Sequence, residues 1–214
     1  MLSLSLFSSS QRISVALYEY EKLKEFLIER INDNKIDRIL LLIKKILDNN
    51  KGEIKRIFFS KGPGSFTAIR SIKAIAQGIS LISNAKIITS TDFEIYLGDL
   101  AEKSDNVVVF FQDISGRLLY QYFKFNMNRY KSASKFLIGD TTQLNEFILT
   151  LKKNQKKLVV TTNQKKNLKL LKNFNEENFF VCNVSAKKLA NAIFSGYGKL
   201  DQEIIYYHTY YEKI

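Results

Sequence analysis

The sequence predicts two successive α/β units, each built on a mixed sheet, and three observations carry that expectation. Each half opens with short runs of strand character, each continues as alternating helix and strand, and the helical runs carry apolar residues on one face. The units are expected at residues 1–98 and 99–214, with the C-terminal tail free to pack back on the first. A chain of 214 residues is long enough for two domains of about 100 residues, each able to bury a core.

In the first half, Leu2 to Phe7 and Ile13 to Glu19 read as paired strands, with Ser8-Ser9-Ser10 as the turn and a third strand near Glu25 to Arg30. Asn34 or Asp37 opens a helix that runs to about Asn49. Ile36, Ile39, Leu40, Ile43, Ile46 and Leu47 share its apolar face, and Gly52 stands where a helix-ending glycine is expected. Lys55 to Ser60 is a strand, Lys61 to Thr67 a loop, and a helix then runs to about Leu81 before a strand at Lys86 to Thr89. In the second half, Val107 to Asp113 and Leu118 to Phe125 form a hairpin around Ser115-Gly116-Arg117, where the glycine permits positive φ. Helix and strand then alternate through Thr142–Lys152, Lys157–Thr161, Gln164–Lys172, Phe179–Cys182 and Ser185–Phe194. No identity between the halves is visible, so the duplication rests on element order.

The longest apolar runs, Ile39 to Ile43 and Val107 to Phe111, fall far short of the roughly 18 residues that cross a bilayer. The N-terminal run alternates with serine and has no basic residues before it, so it reads as a strand and not as a secretory signal. A soluble, cytoplasmic protein without a membrane partner is expected. One cysteine, Cys182, leaves no intramolecular disulfide. The net charge of +12 and pI near 9.6 point to an acidic partner, nucleic acid or an acidic protein surface. A general enrichment in lysine, asparagine and isoleucine raises the pI equally well without creating a site. Eight lysines from Lys152 to Lys172 lie in a stretch, 147–175, that has no Asp or Glu. That run is either a solvated face or a nucleic-acid surface.

Lys61-Gly62-Pro63-Gly64-Ser65-Phe66-Thr67-Ala68-Ile69-Arg70 joins a strand to a helix and contains the chain's one proline. Its glycines open backbone conformations closed to other residues, Pro63 stiffens the loop, and Ser65 or Thr67 can cap the helix. Ala68, Ala74, Ala76 and Gly78 are small positions that let another helix approach, while Phe66, Ile69, Ile72, Ile75 and Ile79 form the apolar face. As a phosphate cradle the loop lacks the Gly-Lys-Ser/Thr ending of a P-loop. As a plain turn it supports nothing further.

A third reading is a resemblance. Gly62-Pro63-Gly64-Ser65-Phe66-Thr67, then Ile69 and Arg70, then Ala76-Gln77-Gly78, resembles the signature of the bacterial TsaB family. Ser14-Val15-Ala16-Leu17, the helix Asp37 to Ile43, and Asp113-Ile-Ser-Gly116 before a Tyr-containing strand fit the same order. The likeness is strongest over residues 54 to 90. It implies a duplicated actin-like ATPase fold, similar to that of the catalytic paralogue TsaD, which transfers a threonylcarbamoyl group to adenosine 37 in tRNAs that read ANN codons. The implied role is that of a non-catalytic subunit, without a cofactor of its own, which pairs with TsaD and meets the ATPase TsaE and tRNA in the larger assembly. A homodimer in the absence of TsaD is also open. In this family the pairing uses helices of the N-terminal half, which makes Ile39, Ile43, Ile72, Ala74, Ala76 and Gly78 the candidate partner interface. Lys156, Lys157, Lys165 and Lys166 are the candidate tRNA contacts.

The resemblance also implies departures. Actin-like ATPases hold magnesium and phosphate through an aspartate at the end of the first strand, and here Phe7 stands at that place. The paralogue's metal-binding His-x-x-x-His pair has no counterpart in Lys35 to Ile39. No catalytic, cofactor-binding or metal residue is therefore assigned. His208, the one histidine, lies in an aromatic tail, and Cys182 in a Phe-Phe-Val-Cys strand reads as core and not as a nucleophile paired with it. Two alternatives remain: an actin-fold kinase or carbamoyltransferase, which needs phosphate-site carboxylates, and a basic nucleic-acid-binding module.

Overall fold

A computed structural model of the chain describes residues 1–9, 12–30, 35–98, 100, 104–113, 115–154, 158–172, 174 and 176–206. The backbone divides into two compact units. One comprises Met1–Ile95 together with the stretch from Ser185 onward, and the other Tyr96–Val184. Residues from 185 onward thus belong to the same unit as residues 1–95.

In the first unit, β1 (Leu2–Ser8), β2 (Arg12–Glu19), β3 (Lys22–Arg30), α1 (Lys35–Asn49), β4 (Ile54–Ser60), α2 (Phe66–Ser83), β5 (Lys86–Ser90) and α3 (Asp92–Leu97) follow one another, α3 running across the division. The sheet order is β3-β2-β1-β4-β5. β1–β2 and β2–β3 pair antiparallel, while β1–β4 and β4–β5 pair parallel. Strand side chains alternate between faces. Leu2, Leu4 and Leu6 therefore share one face with Ile13, Val15, Leu17, Ile57 and Phe59, and on it lie Ile39, Leu42, Ile43 and Ile46 of α1 with Ile72 and Ala76 of α2. Each of the leucine, isoleucine and valine side chains contributes about 1.5–3 kcal/mol on full burial.

The other face explains why serine alternates with leucine in β1. It carries Ser5 of β1 and Ser14 of β2, small residues that let a helix come close. That helix is α5 (Ala186–Ala192), extended by a π-helical turn at Ile193–Tyr197. Ser5 Oγ donates to the Ala186 carbonyl at 2.7 Å, and the Ala186 amide donates to Ser14 Oγ at 2.8 Å. Phe194 packs edge-on against Tyr18 and Phe58, with centroids 5.2 and 5.5 Å apart.

The second unit contains β6 (Asn106–Gln112), β7 (Leu118–Asn126), β8 (Arg129–Ser132), β9 (Leu137–Gly139), α4 (Thr141–Asn154), β10 (Val159–Thr162), a 3₁₀ helix at Lys165–Leu170 and β11 (Phe179–Val181). Its sheet runs β11-β10-β6-β7-β8, with β9 also paired to β7. Read from β8, this repeats the first sheet: two antiparallel neighbours, the leading strand, then two parallel ones. The duplication expected from element order is thus present in strand order and direction. Leu144 and Ile148 of α4 cover Val108, Phe110, Tyr120 and Val160. α4 opens with a reciprocal cap, Asp140 N–H to Gln143 Oε1 at 2.9 Å and Gln143 N–H to Asp140 Oδ1 at 2.9 Å. The helix expected over Gln164–Lys172 is a short 3₁₀ helix at Lys165–Leu170. No helix of the described residues is long and apolar enough to cross a membrane.

Candidate functional site

The loop after β4 is held on three sides. Ser60 Oγ accepts the Gly62 amide at 3.1 Å, the Lys61 amide donates to the Ser90 carbonyl at 3.0 Å, and the Asp92 amide donates to the Gly62 carbonyl at 2.7 Å. The Gly62–Pro63 bond is cis. Both flanking glycines are required by close approach. Gly62 has φ +95°, and a Cβ there would lie 3.1 Å from the Ile205 carbonyl oxygen; a Cβ on Gly64 would lie 2.8 Å from Asp92 Oδ2. Ser60 Oγ also donates to Asp92 Oδ1. Burial of this carboxyl pushes it up to about 7, against the opposing pull of the Ser60 hydrogen bond. Ser65 occupies the N-cap of α2, but its side chain does not cap the helix, and Thr67 lies inside the first turn. The cap expected from the hydroxyl is absent at both positions among the described residues.

A strap of the chain, Lys199 to Tyr206, crosses this loop. Thr89 and Lys199 exchange backbone hydrogen bonds of 2.8 Å, Thr89 Oγ1 donates to the Asp201 carbonyl, and the Ile205 amide donates to the Lys61 carbonyl at 2.9 Å. Lys61, buried, pairs with Asp201, and Lys73 Nζ donates to the Gln202 carbonyl at 3.0 Å. The Lys61 hydrogen bond, with the Glu203 amide, holds the Asp201 carboxyl below the usual range. Phe66 sits between Tyr206, 5.2 Å away by ring centroids, and the Arg70 guanidinium, 4.8 Å above its ring. The strap's particular contacts, and Asp92 beside the loop, have no marker in the loop's own sequence. Thr91-Asp-Phe-Glu94 was the available signal: Thr91 N–H donates to Glu94 Oε2 at 2.8 Å and Glu94 N–H to Thr91 Oγ1 at 3.1 Å, a capping box that fixes Asp92 beside the loop.

The six candidate interface positions divide. Ile39, Ile43, Ile72 and Ala76 are at most 5% exposed and are used by the unit's own core. This corrects the expectation that they face a partner: an apolar face that covers the sheet is not also available outside. Ala74 and Gly78 lie on the open side of α2, and nothing approaches within 4 Å of the place where a Gly78 Cβ would be. Farther along the same helix Leu81 and Ile82 are 88% and 92% exposed, and on α1 Leu40 and Leu41 are also exposed. Leu42 takes the buried place expected for Leu40. Between the two helices Ser8, Ile36, Ile39, Ser65, Ala68 and Ile72 line a shallow apolar cleft.

The magnesium-nucleotide chemistry that the resemblance places at the end of β1 finds no fitting residue there. Phe7 is 5% exposed and offers no oxygen. Asp113, which follows β6, has a carboxylate already engaged: Oδ1 accepts the Ser115 amide at 2.8 Å, Ser115 Oγ at 2.6 Å and the Arg117 amide at 2.9 Å. The Arg117 guanidinium approaches Oδ2 at 3.4 Å. No group of three or more potential metal ligands stands together among the described residues. Cys182 is buried with its amide bonded to the Thr162 carbonyl at 2.8 Å, while His208 lies outside the described residues. Lys165 and Lys166 are exposed on the 3₁₀ helix; Lys156 and Lys157 lie outside the described residues.

The duplicated sheet order and the parallel strand pairs define a duplicated actin-like ATPase fold. Within it, the chain is similar to curated relatives named TsaB. The chain is 38% identical over 104 residues to the tRNA threonylcarbamoyladenosine biosynthesis protein TsaB of Buchnera aphidicola subsp. Acyrthosiphon pisum, covering 47% of this chain and 45% of that protein. To the TsaB of Haemophilus influenzae it is 31% identical over 156 residues, covering 68% and 61%. The chain spans about half the length of the curated relatives it matches. Among solved structures, YeaZ from Pseudomonas aeruginosa is similar in fold, with a TM-score of 0.69 at 15% identity over 97% of this chain and 99% of that one. No protein-family model matches.

Proposed function

We propose that this chain serves tRNA threonylcarbamoyladenosine biosynthesis in the cytoplasm as a non-catalytic TsaB-type subunit that pairs with a TsaD-like paralogue, within an assembly that includes a TsaE-like ATPase and tRNA. The observation that carries the reading is the open side of α2. Ala74 and Gly78, four residues apart, are stacked on one side of the helix and leave its backbone accessible to a partner helix. Exposed Leu81, Ile82, Leu40 and Leu41 add apolar area on α2 and α1. Phe7 and the engaged Asp113 support a scaffold over a nucleotide enzyme. Co-expression with the organism's TsaD, followed by size-exclusion chromatography, is expected to yield a heterodimer. Restoration of threonylcarbamoyladenosine in cells depleted of TsaB is the second expected result. Separate elution with no restoration would refute the proposal.

A further inference from the structure

The lysines after β10 form a surface with fixed geometry, and buried asparagines fix it. Asn145 of α4, 7% exposed, donates Nδ2 to the Thr141 and Leu170 carbonyls at 2.7 and 2.8 Å, and its Oδ1 accepts the Lys172 amide at 2.7 Å. The 3₁₀ helix is thereby tied to α4. Asn167, 2% exposed, donates to Thr162 Oγ1 at 2.9 Å and to Asn163 Oδ1 at 3.2 Å, which ties the same helix to the end of β10. Side chains three apart eclipse in a 3₁₀ helix, so Lys166 and Lys169 stand in line about 6 Å apart along the axis. Lys172 lies just past the helix end, after the extended Leu171, which turns into the core, and is held there by its amide's bond to Asn145. Lys165, Lys166, Lys169 and Lys172 are all exposed, and the ion pairs among the described residues involve none of them.

Like charges held close on a rigid backbone repel, and the cost is relieved by a ligand whose negative charge also repeats. Protein interfaces are centred on apolar and aromatic anchors and depleted in lysine. The large exposed apolar residues of the described chain include none between Lys152 and Lys172. A phosphate backbone fits this surface better than an acidic protein does. We propose that Lys165, Lys166, Lys169 and Lys172 form a sequence-independent phosphate contact for RNA. That the RNA is the tRNA substrate rests on the function proposed above.

The test uses the full chain and an unmodified tRNA transcript, with binding followed by fluorescence anisotropy from about 50 to 200 mM KCl. Changing the four lysines to glutamine is expected to weaken binding at least about tenfold near 100 mM salt and to reduce the log–log salt slope by about 2–4. Changing all four to arginine is expected to preserve both, and an unchanged circular dichroism spectrum verifies the fold of each variant. Unchanged affinity and slope in the glutamine variant would overturn the assignment. So would polyglutamate that binds as tightly as tRNA and is lost with the same substitutions, because the partner would then be an acidic protein. TsaD co-purification separates this inference from the broader one: tRNA binding through the row in a chain that never pairs with TsaD would retain the phosphate contact and refute the subunit role.

Discussion

Lys61 and Asp201, 140 residues apart in sequence, form an ion pair in which the lysine side chain is 8% exposed and the aspartate 52%. The two ends of the pair are unequal. Removal of the carboxylate leaves an ammonium buried without its partner, whereas removal of the ammonium leaves a carboxylate that water can reach. Asp201→Ala is therefore expected to lower the melting temperature at pH 7 more than Lys61→Met, and the double variant to lie near Lys61→Met. Thermal denaturation of the three variants checks the order; equal losses would mean that the pair does not hold the strap.

Asp92 gives the loop a dependence on pH. Its carboxyl is raised by burial to about 7 in the folded chain, so folding takes up a proton between about pH 4 and 7. In that window the folded state binds more protons than the unfolded one, and this group's contribution to stability falls as pH rises, then levels off. Asp92→Asn keeps the shape and removes the charge. Its melting temperature is expected to exceed that of the parent by about 3 °C or more at pH 8, which corresponds to roughly 1 kcal/mol, and to match it at pH 4. A difference that stays constant across this range contradicts the assignment.

At Gly78 stability and pairing are expected to move in opposite directions. The site is open and helical, so Gly78→Ala should stabilise the isolated chain by about 0.5–1 kcal/mol. Gly78→Leu and Ala74→Leu should leave the fold intact and weaken TsaD binding by at least about tenfold, because bulk on this side separates the helices and removes dispersion contacts. Co-purification and a melting curve on the same samples decide. A stable Gly78→Leu chain that binds TsaD normally assigns the interface elsewhere.

Nucleotide binding is expected to be absent, and a single substitution should not restore it. Calorimetric titration with Mg·ATP should show no heat of binding at micromolar concentrations. Phe7→Asp places a carboxylate in a position only 5% exposed, so it should destabilise the chain by about 3 kcal/mol or more without creating a site. Micromolar affinity in the parent chain would favour the actin-fold kinase reading.

The sequence made most of the first unit legible because its signals are local. The alternation of Leu2, Leu4 and Leu6 marked β1, and the Gly62 to Thr67 loop marked the β4–α2 junction. The periodicity of α1 is legible, but its exact face is not, since Leu40, Leu41 and Leu42 are consecutive and packing alone selects Leu42. The tail's return to the first unit was open from the sequence, but the strap's particular contacts and the seat of α5 are not legible, because they lie far apart along the chain. Ser5 meets Ala186 across 181 residues and Thr89 meets Asp201 across 112. No short-range pattern encodes such pairs. That the Gln164–Lys172 helix is a short 3₁₀ turn is not legible, because Asn145 and Asn167, which anchor it, resemble surface residues until their hydrogen bonds are seen.

The seating of Ala186 between Ser5 and Ser14 also bears on the order in which the chain folds at the ribosome. Residues 96–184 are contiguous, so the second unit has all its strands once residue 184 has left the exit tunnel. The first unit emerges earlier but keeps one sheet face uncovered until α5 follows. Domains commonly fold in order of synthesis; here the unit made first is finished last. During that interval the uncovered face is a natural surface for chaperone capture, and a message that ends before Ser185 would leave it exposed permanently.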